Sequence, residues 1–246
     1  MRYREVGGTR VSVVGLGAWQ FGSREWGYGE AYAKEAAPAI VRRCLDLGIT
    51  LFDTAEIYGF GRSERILGAA LGDRRVEAFV ATKLFPVLPV DPVVGRRARQ
   101  SAARLGVQTI DLYQVHWPNP VVPLSATMRA LAALQRDGLV RHVGVSNFSL
   151  DQWKRAEDLL GAPVLSNQVR YNLVDRRIER DLLGWAKEHD RLVIAYSPLQ
   201  QGLLSARYGP DHQPKGMRAN TPDFLPENLR RIAPLLDVLR RVAEAH

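Results

Sequence analysis

The chain has 246 residues, 46% of them hydrophobic and 24% charged, with a formal net charge of +8 and a pI near 9.9. Its length suits one α/β barrel as readily as two ordinary domains, and its composition is that of a globular protein with a large core. No apolar run approaches the length that spans a bilayer, and Met1-Arg2-Tyr3-Arg4-Glu5 lacks the apolar core of a signal peptide, so no membrane partner and a cytoplasmic location are expected.

Residues 2–12 read as a hairpin turned at Gly7-Gly8, and residues 13–19 as the first strand of a sheet. A helix is expected over 34–47, stopped by Gly48 and carrying Cys44, the sole cysteine, as a buried inert thiol in a reducing compartment. A strand then ends at Asp53, and Ser63 is expected to cap a short helix over 65–71. Strands over 79–83, 110–116, 140–147, 165–169 and 192–196 alternate with helices over 92–105, 124–137, 150–160 and 176–189. The segment 202–226 has no periodicity and contains glycine, proline and asparagine, which reads as a functional lid. The last stretch puts Leu229, Ile232, Leu236, Leu239 and Ala243 on one helical face, with Pro234 expected to kink or divide it.

Unbroken strand–helix alternation makes a parallel sheet covered by helices, either closed as a (β/α)8 barrel or open and doubly wound. Gly15-Leu16-Gly17-Ala18-Trp19-Gln20 lacks the third glycine of the fingerprint that marks the open, dinucleotide-binding form, so the barrel is favoured. The expectation is one TIM-barrel domain over 1–246 with an N-terminal hairpin and seven βα units, lacking the eighth at the C-terminal end. The positive charge raises the question of an anionic partner, but the arginines lie mostly among acids. The most one-sided group, Arg96, Arg97, Arg99 and Arg104, has no nucleic-acid-binding motif beside it. No nucleic-acid partner is expected.

In a barrel the active site gathers at the C-terminal ends of the strands. Those ends carry Asp53, Lys83, His116, Ser146 with Asn147, Gln168, and Tyr196 with Ser197, and Tyr58 follows Asp53 in a loop with Gly59 and Gly61. A tyrosine has a reference pKa of about 10, so proton donation near neutrality is helped by a cation beside the phenolate. Lys83 can be that cation, Asp53 its counter-ion, and His116 a hydrogen-bonding group that orients a substrate oxygen. Taken singly, such an aspartate is as often a helix cap, such a tyrosine a packing residue and such a histidine a satisfied partner. Together they suit protonation of an oxygen gaining negative charge. Other chemistries fit poorly: Phe148 breaks the nucleophile elbow suggested by Gly144-Val145-Ser146, the five histidines form no HExxH pattern, and no phosphate-binding P-loop or metal site is expected.

Asp53-Thr54-Ala55-Glu56-Ile57-Tyr58-Gly59 with Ser63-Glu64, Leu105-Gly106 with Ile110-Asp111-Leu112-Tyr113-Gln114-Val115-His116-Trp117-Pro118, and Val143-Gly144-Val145-Ser146-Asn147-Phe148 together resemble the signatures of the aldo-keto reductase family, in order and spacing from about residue 2 to 240. The resemblance extends to the potassium-channel β subunits. It implies reduction of an aldehyde, ketone or sugar by NADPH, with Tyr58 as proton donor, Lys83 and Asp53 tuning it and His116 orienting the small-molecule carbonyl substrate. It further implies cofactor contacts from Ala18, Trp19, Asp53, Ser146, Asn147, Gln168, Tyr196, Ser197, Leu199 and Gly202, and a substrate pocket walled by Trp19, Tyr58, His116 and Trp117, with Trp26 nearby. The family's segment for the 2′-phosphate follows the point where this sequence stops, so NADPH is expected from family habit and NADH is left open, as is the oligomeric state. The alternatives are a nucleotide-binding regulatory subunit and an inactive truncated barrel.

Overall fold

The computed structural model describes residues 1–23 and 31–246, which fall into two compact units: 1–169 with 178–194, and 170–177 with 195–246. In the first unit, strands β1 (Tyr3–Val6) and β2 (Thr9–Ser12) pair antiparallel. Gly7 and Gly8 both turn with positive φ, as a two-residue hairpin turn requires. The main sheet holds β3 (Gly15–Gly17), β4 (Leu51–Asp53), β5 (Phe79–Leu84), β6 (Ile110–Val115), β7 (Val140–Ser146), β8 (Ser166–Arg170) and β9 (Leu192–Tyr196) in chain order. Each register from β3 to β8 is parallel. Between the strands run α1 (Trp19–Gly22), α2 (Ala37–Asp46), α3 (Arg62–Leu71), α4 (Val93–Leu105), α5 (Leu124–Arg136), α6 (Leu150–Leu160) and α7 (Leu182–Glu188). This is the α/β barrel architecture with seven strands and an N-terminal hairpin.

Because side chains alternate along a strand, each strand divides its residues between two cores. Phe52 and Val80 pack outward with Val41, Leu45, Leu67 and Leu71 of the helices, while Tyr113, Val115, Val143 and Val145 pack with Val94, Met128, Leu131 and Trp153. On the opposite faces, Leu51, Phe79, Ala81 and Leu112 form a third cluster with Val6 and Val11 of the hairpin. Asp53, Lys83, Gln114 and His116 continue those inward rows by steps of two, so the hairpin covers the apolar end of the interior and the polar residues fall at the other.

Several local expectations are corrected. The first strand of the sheet is three residues, not 13–19, because Ala18 turns the chain so that Trp19 already opens α1. The helix expected over 34–47 begins as a π-helical stretch, Tyr32–Ala36, before α2. Ser63 does not cap α3: the helix starts at Arg62 after Gly61 at φ +81°, and the buried Ser63 hydroxyl instead donates to Ala18 O at 2.6 Å. The helix expected over 176–189 is split into a 3-10 turn, Arg177–Arg180, and α7, with the Asp181 carboxylate accepting from Leu182 N at 2.6 Å. Cys44 is half-buried, and burial raises its thiol pKa.

In the second unit, the segment expected to be an irregular lid contains three short 3-10 stretches, Gln200–Ser205, Gly216–Asn220 and Pro222–Phe224. Leu203, Phe224 and Leu229 pack together there. Helix α8 (Pro226–Ala245) runs through Pro234 without dividing. Its two buried residues, Leu229 and Leu236, are seven apart and so fall on one face of the continuous helix. Ala243, expected on the buried stripe, is exposed. No helix among the described residues is long and apolar enough to cross a membrane.

Candidate active site

β4 ends on Asp53 and Lys83 is the next-to-last residue of β5, so the two lie near the same ends of adjacent parallel strands. Lys83 is fully buried, and its ammonium donates to Asp53 Oδ1 at 2.8 Å, Asp53 Oδ2 at 2.7 Å and Thr54 O at 2.7 Å. A buried charge needs such partners. Burial alone would lower the Lys83 pKa, but the Asp53 charge, with the hydrogen bonds to Asp53 and Tyr58, outweighs it and raises it, so the side chain stays an ammonium at neutral pH. Its longest contact is to Tyr58 Oη at 3.4 Å, and Nζ lies 5.1 Å from the centre of the Tyr58 ring. Gln168 Nε2 donates to Asp53 Oδ1 at 2.7 Å, which ties β8 to the same carboxylate.

Tyr58 is brought there by close backbone contact. Gly59 turns at φ +57°, and a Cβ on it would stand 2.5 Å from Gly22 O. A Cβ on Gly22 would stand 2.5 Å from Tyr58 O. Only two glycines allow α1 and the Tyr58 loop to meet.

His116 follows β6, 4% exposed, with its ring edge-on to Tyr58 at 5.8 Å and stacked on Trp117 at 3.8 Å and 12°. Phe85 packs edge-on against both His116 and Trp117. Burial, and secondarily the Lys83 charge, push the His116 pKa down to about 3, so the imidazole is neutral across the physiological range. Its Nδ1 is buried with no hydrogen-bond partner among the described residues. Such a group can bind an uncharged oxygen without carrying charge into the site.

Next along the row, Ser146 Oγ donates to Gln168 O at 2.9 Å, while Asn147 Nδ2 donates to His116 O at 3.1 Å and Ser146 Oγ at 3.0 Å. Asn147 holds φ +62°, a conformation asparagine tolerates better than most residues. Asp53, Tyr58, Lys83, His116, Ser146, Asn147 and Gln168 are thus linked by these contacts into one group within the first unit. Ala18 is buried beside them through Ala18 N to Asp53 O at 2.7 Å. Trp19 is half-buried at the start of α1. Trp26 lies outside the described residues. Tyr196, Ser197, Leu199 and Gly202 belong to the second unit, where Asn172 Nδ2 donates to Ser197 O at 3.0 Å and Gln200 Oε1 at 2.6 Å. The chain there turns repeatedly through positive φ, with Gly202 at +100°.

Sequence reasoning assigned no role to the residues behind this group. Glu64, fully buried on α3, accepts from Thr82 Oγ1 at 2.6 Å and Arg104 Nε at 2.5 Å. Glu56 accepts from Phe85 N at 2.5 Å and from the Arg97 guanidinium. Two of the four clustered arginines are therefore held inward by carboxylates. The signal was present in the sequence only as acids inside the Asp53–Glu64 stretch, and which arginine each would meet depends on how α4 packs. Among the described residues no group of three or more His, Cys, Asp or Glu could hold a metal ion.

Comparison with known proteins agrees with this arrangement. The family model described as "Aldo/keto reductase family" matches residues 13–246. An uncharacterized oxidoreductase of Mycobacterium tuberculosis is 54% identical over 99% of this chain and 76% of its own length. The solved glycerol dehydrogenase from Gluconobacter oxydans has a TM-score of 0.87 at 35% identity, over 99% of this chain and 77% of that one. An aldo-keto reductase from Klebsiella pneumoniae, solved with NADPH, has a TM-score of 0.73 at 32% identity over 82% of this chain and 70% of that one. The fold and these relatives define an oxidoreductase on an α/β barrel. The chain belongs to the aldo/keto reductase family.

Proposed function

We propose that this chain reduces aldehydes or ketones, sugars among them, to alcohols with NADPH, and that Tyr58 gives the proton. The observation that carries this reading is the buried Asp53–Lys83 pair with the Tyr58 oxygen within 3.4 Å of Lys83 Nζ. The NADPH complex of the Klebsiella relative and the net charge of +8 favour NADPH over NADH.

The residues present suit a nicotinamide. Ser146, Asn147 and Gln168 offer a row of one hydroxyl and two amides, which matches the donor and acceptor pair of a carboxamide. These three residues would hold it beside Asp53. Bound there, reduced nicotinamide supplies a hydride equivalent to the carbonyl carbon.

The chain's own groups then divide the remaining work. As the carbonyl oxygen gains negative charge, the Tyr58 hydroxyl donates its proton to that oxygen, forming the O–H bond of the alcohol. Lys83 donates towards the phenol oxygen, so the forming phenolate lies beside a buried positive charge that needs no reorganisation. Asp53 keeps that ammonium oriented. His116, neutral because of its burial, hydrogen-bonds the substrate oxygen and holds it near Tyr58 without competing as an acid. Trp117 and Phe85 hold the imidazole ring in place and wall the site with apolar surface.

The test is Tyr58→Phe, assayed with a reactive aromatic aldehyde and NADPH. A fall in kcat of roughly 100- to 10,000-fold is expected, with NADPH still quenching tryptophan fluorescence at similar concentrations. Undiminished turnover would refute the assignment of Tyr58.

A further inference from the structure

Resting on that reading, we infer that the Glu56–Arg97 ion pair is a positioning device that sets Tyr58 against Lys83, acting on turnover rather than on substrate or cofactor affinity. Glu56 stands three residues after Asp53 and two before Tyr58. Its carboxylate is largely buried and grips three groups from the next βα unit. Phe85 N donates to Oε1 at 2.5 Å, Arg97 Nε donates to Oε2 at 3.0 Å, and Arg97 Nη2 also meets Oε1. Arg97 Nη1 donates in turn to Val87 O at 2.8 Å. The backbone completes the clamp, with Glu56 N donating to Lys83 O at 3.4 Å. The loop after β4, which bears Tyr58, is therefore joined to the loop after β5, which begins beyond Lys83, by a guanidinium fork anchored on α4. A planar fork on a carboxylate fixes direction as well as distance, which a lysine in its place would not do.

The geometry says where such a clamp matters. The Lys83–Asp53 contacts at 2.7 and 2.8 Å join adjacent paired strands and hold themselves. The Lys83–Tyr58 contact at 3.4 Å is at the limit of a hydrogen bond and crosses from strand to loop. A loop shift of a few tenths of an ångström leaves the first pair intact and breaks the second. Gly59 and Gly22 meet at the backbone next to Tyr58, and Glu56 adds a restraint that ties the loop to Phe85 and Arg97. Arg96 and Arg99, its neighbours on α4, are exposed.

Glu56→Gln keeps an acceptor for Phe85 N but turns an amide towards the guanidinium. Assayed well below its melting temperature, it is expected to show kcat lowered roughly 10- to 100-fold with KM and NADPH affinity within about threefold. The phenolate absorbance of Tyr58, isolated by subtracting the alkaline titration of Tyr58→Phe from that of each Tyr58-bearing protein, should move to higher pH in the variant. Arg97→Lys, which keeps the charge and loses the fork, should repeat both effects and serves if Glu56→Gln does not fold. A lowered melting temperature with unchanged kcat, or a lowered kcat with an unmoved Tyr58 titration, would overturn the inference. Tyr58→Phe separates the two ideas: if it abolishes turnover while both clamp variants retain it, the reductase reading stands and the clamp falls.

Discussion

Exchanging His116 for glutamine should flatten the acid side of the stability profile. His116 has a pKa of about 3 in the folded chain against 6.5 for an ordinary histidine, so between those values the unfolded chain binds the proton and the folded chain does not. Stability then rises with pH across that window: the contribution is complete above about 6.5 and is lost as pH falls towards 3. Integrating over that window, His116 alone removes about 2 kcal/mol between pH 7 and pH 5, and about 3 kcal/mol by pH 4. The assay is urea unfolding of the native chain and of His116→Gln at pH 7, 6, 5 and 4. Losing the stack on Trp117 costs the variant a pH-independent amount, which drops out of the slopes. His142, whose pKa burial also lowers, titrates in the same direction in both proteins and cancels. The native chain should lose about 2 kcal/mol more than the variant between pH 7 and pH 5. Parallel profiles would refute the picture of a buried, neutral imidazole.

Other substitutions probe the supports of the same group. Lys83→Met strands the Asp53 carboxylate in a largely buried place and should destabilise by about 3–5 kcal/mol; adding Asp53→Asn should recover a good part, as read by thermal melts of both variants. Gly59→Ala meets Gly22 O at 2.5 Å in a positive-φ conformation and should cost about 2 kcal/mol or more, with kcat falling alongside because Tyr58 must move. Removing the Glu64 charge with Glu64→Gln faces Arg104 with an amide and should lower the melting point, and an unchanged melt would mean that this buried pair contributes nothing.

The placement of most of the candidate site's residues was legible because a barrel strand is a simple object. Asp53, Lys83, His116, Ser146 and Gln168 each end or immediately follow a short run of strand-forming residues, and the two-residue period puts them on the inward face with Leu51, Ala81, Leu112, Gly144 and Ser166. Strand order follows from βα alternation, so residues far apart in the chain, such as Asp53 and Gln168, could be expected together before any contact was known. The local errors have a common cause. Ser63 reads as a cap because serines often are, yet its hydroxyl is taken by Ala18 O from another element. Pro234 reads as a break, yet the helix runs on through it with Leu229 and Leu236 buried on one face.

What the sequence by itself determined, then, was the inventory and its direction: a parallel barrel, its inward rows, and the acid, lysine, tyrosine and histidine at their ends. Periodicity and turn chemistry are local properties, and they are written in neighbouring residues. Only the tertiary structure decided that Lys83 keeps its charge, that His116 does not gain one, and which arginine holds Glu56. Those outcomes depend on burial and on distances of about 3 Å between residues tens of positions apart, and no short stretch of sequence contains either.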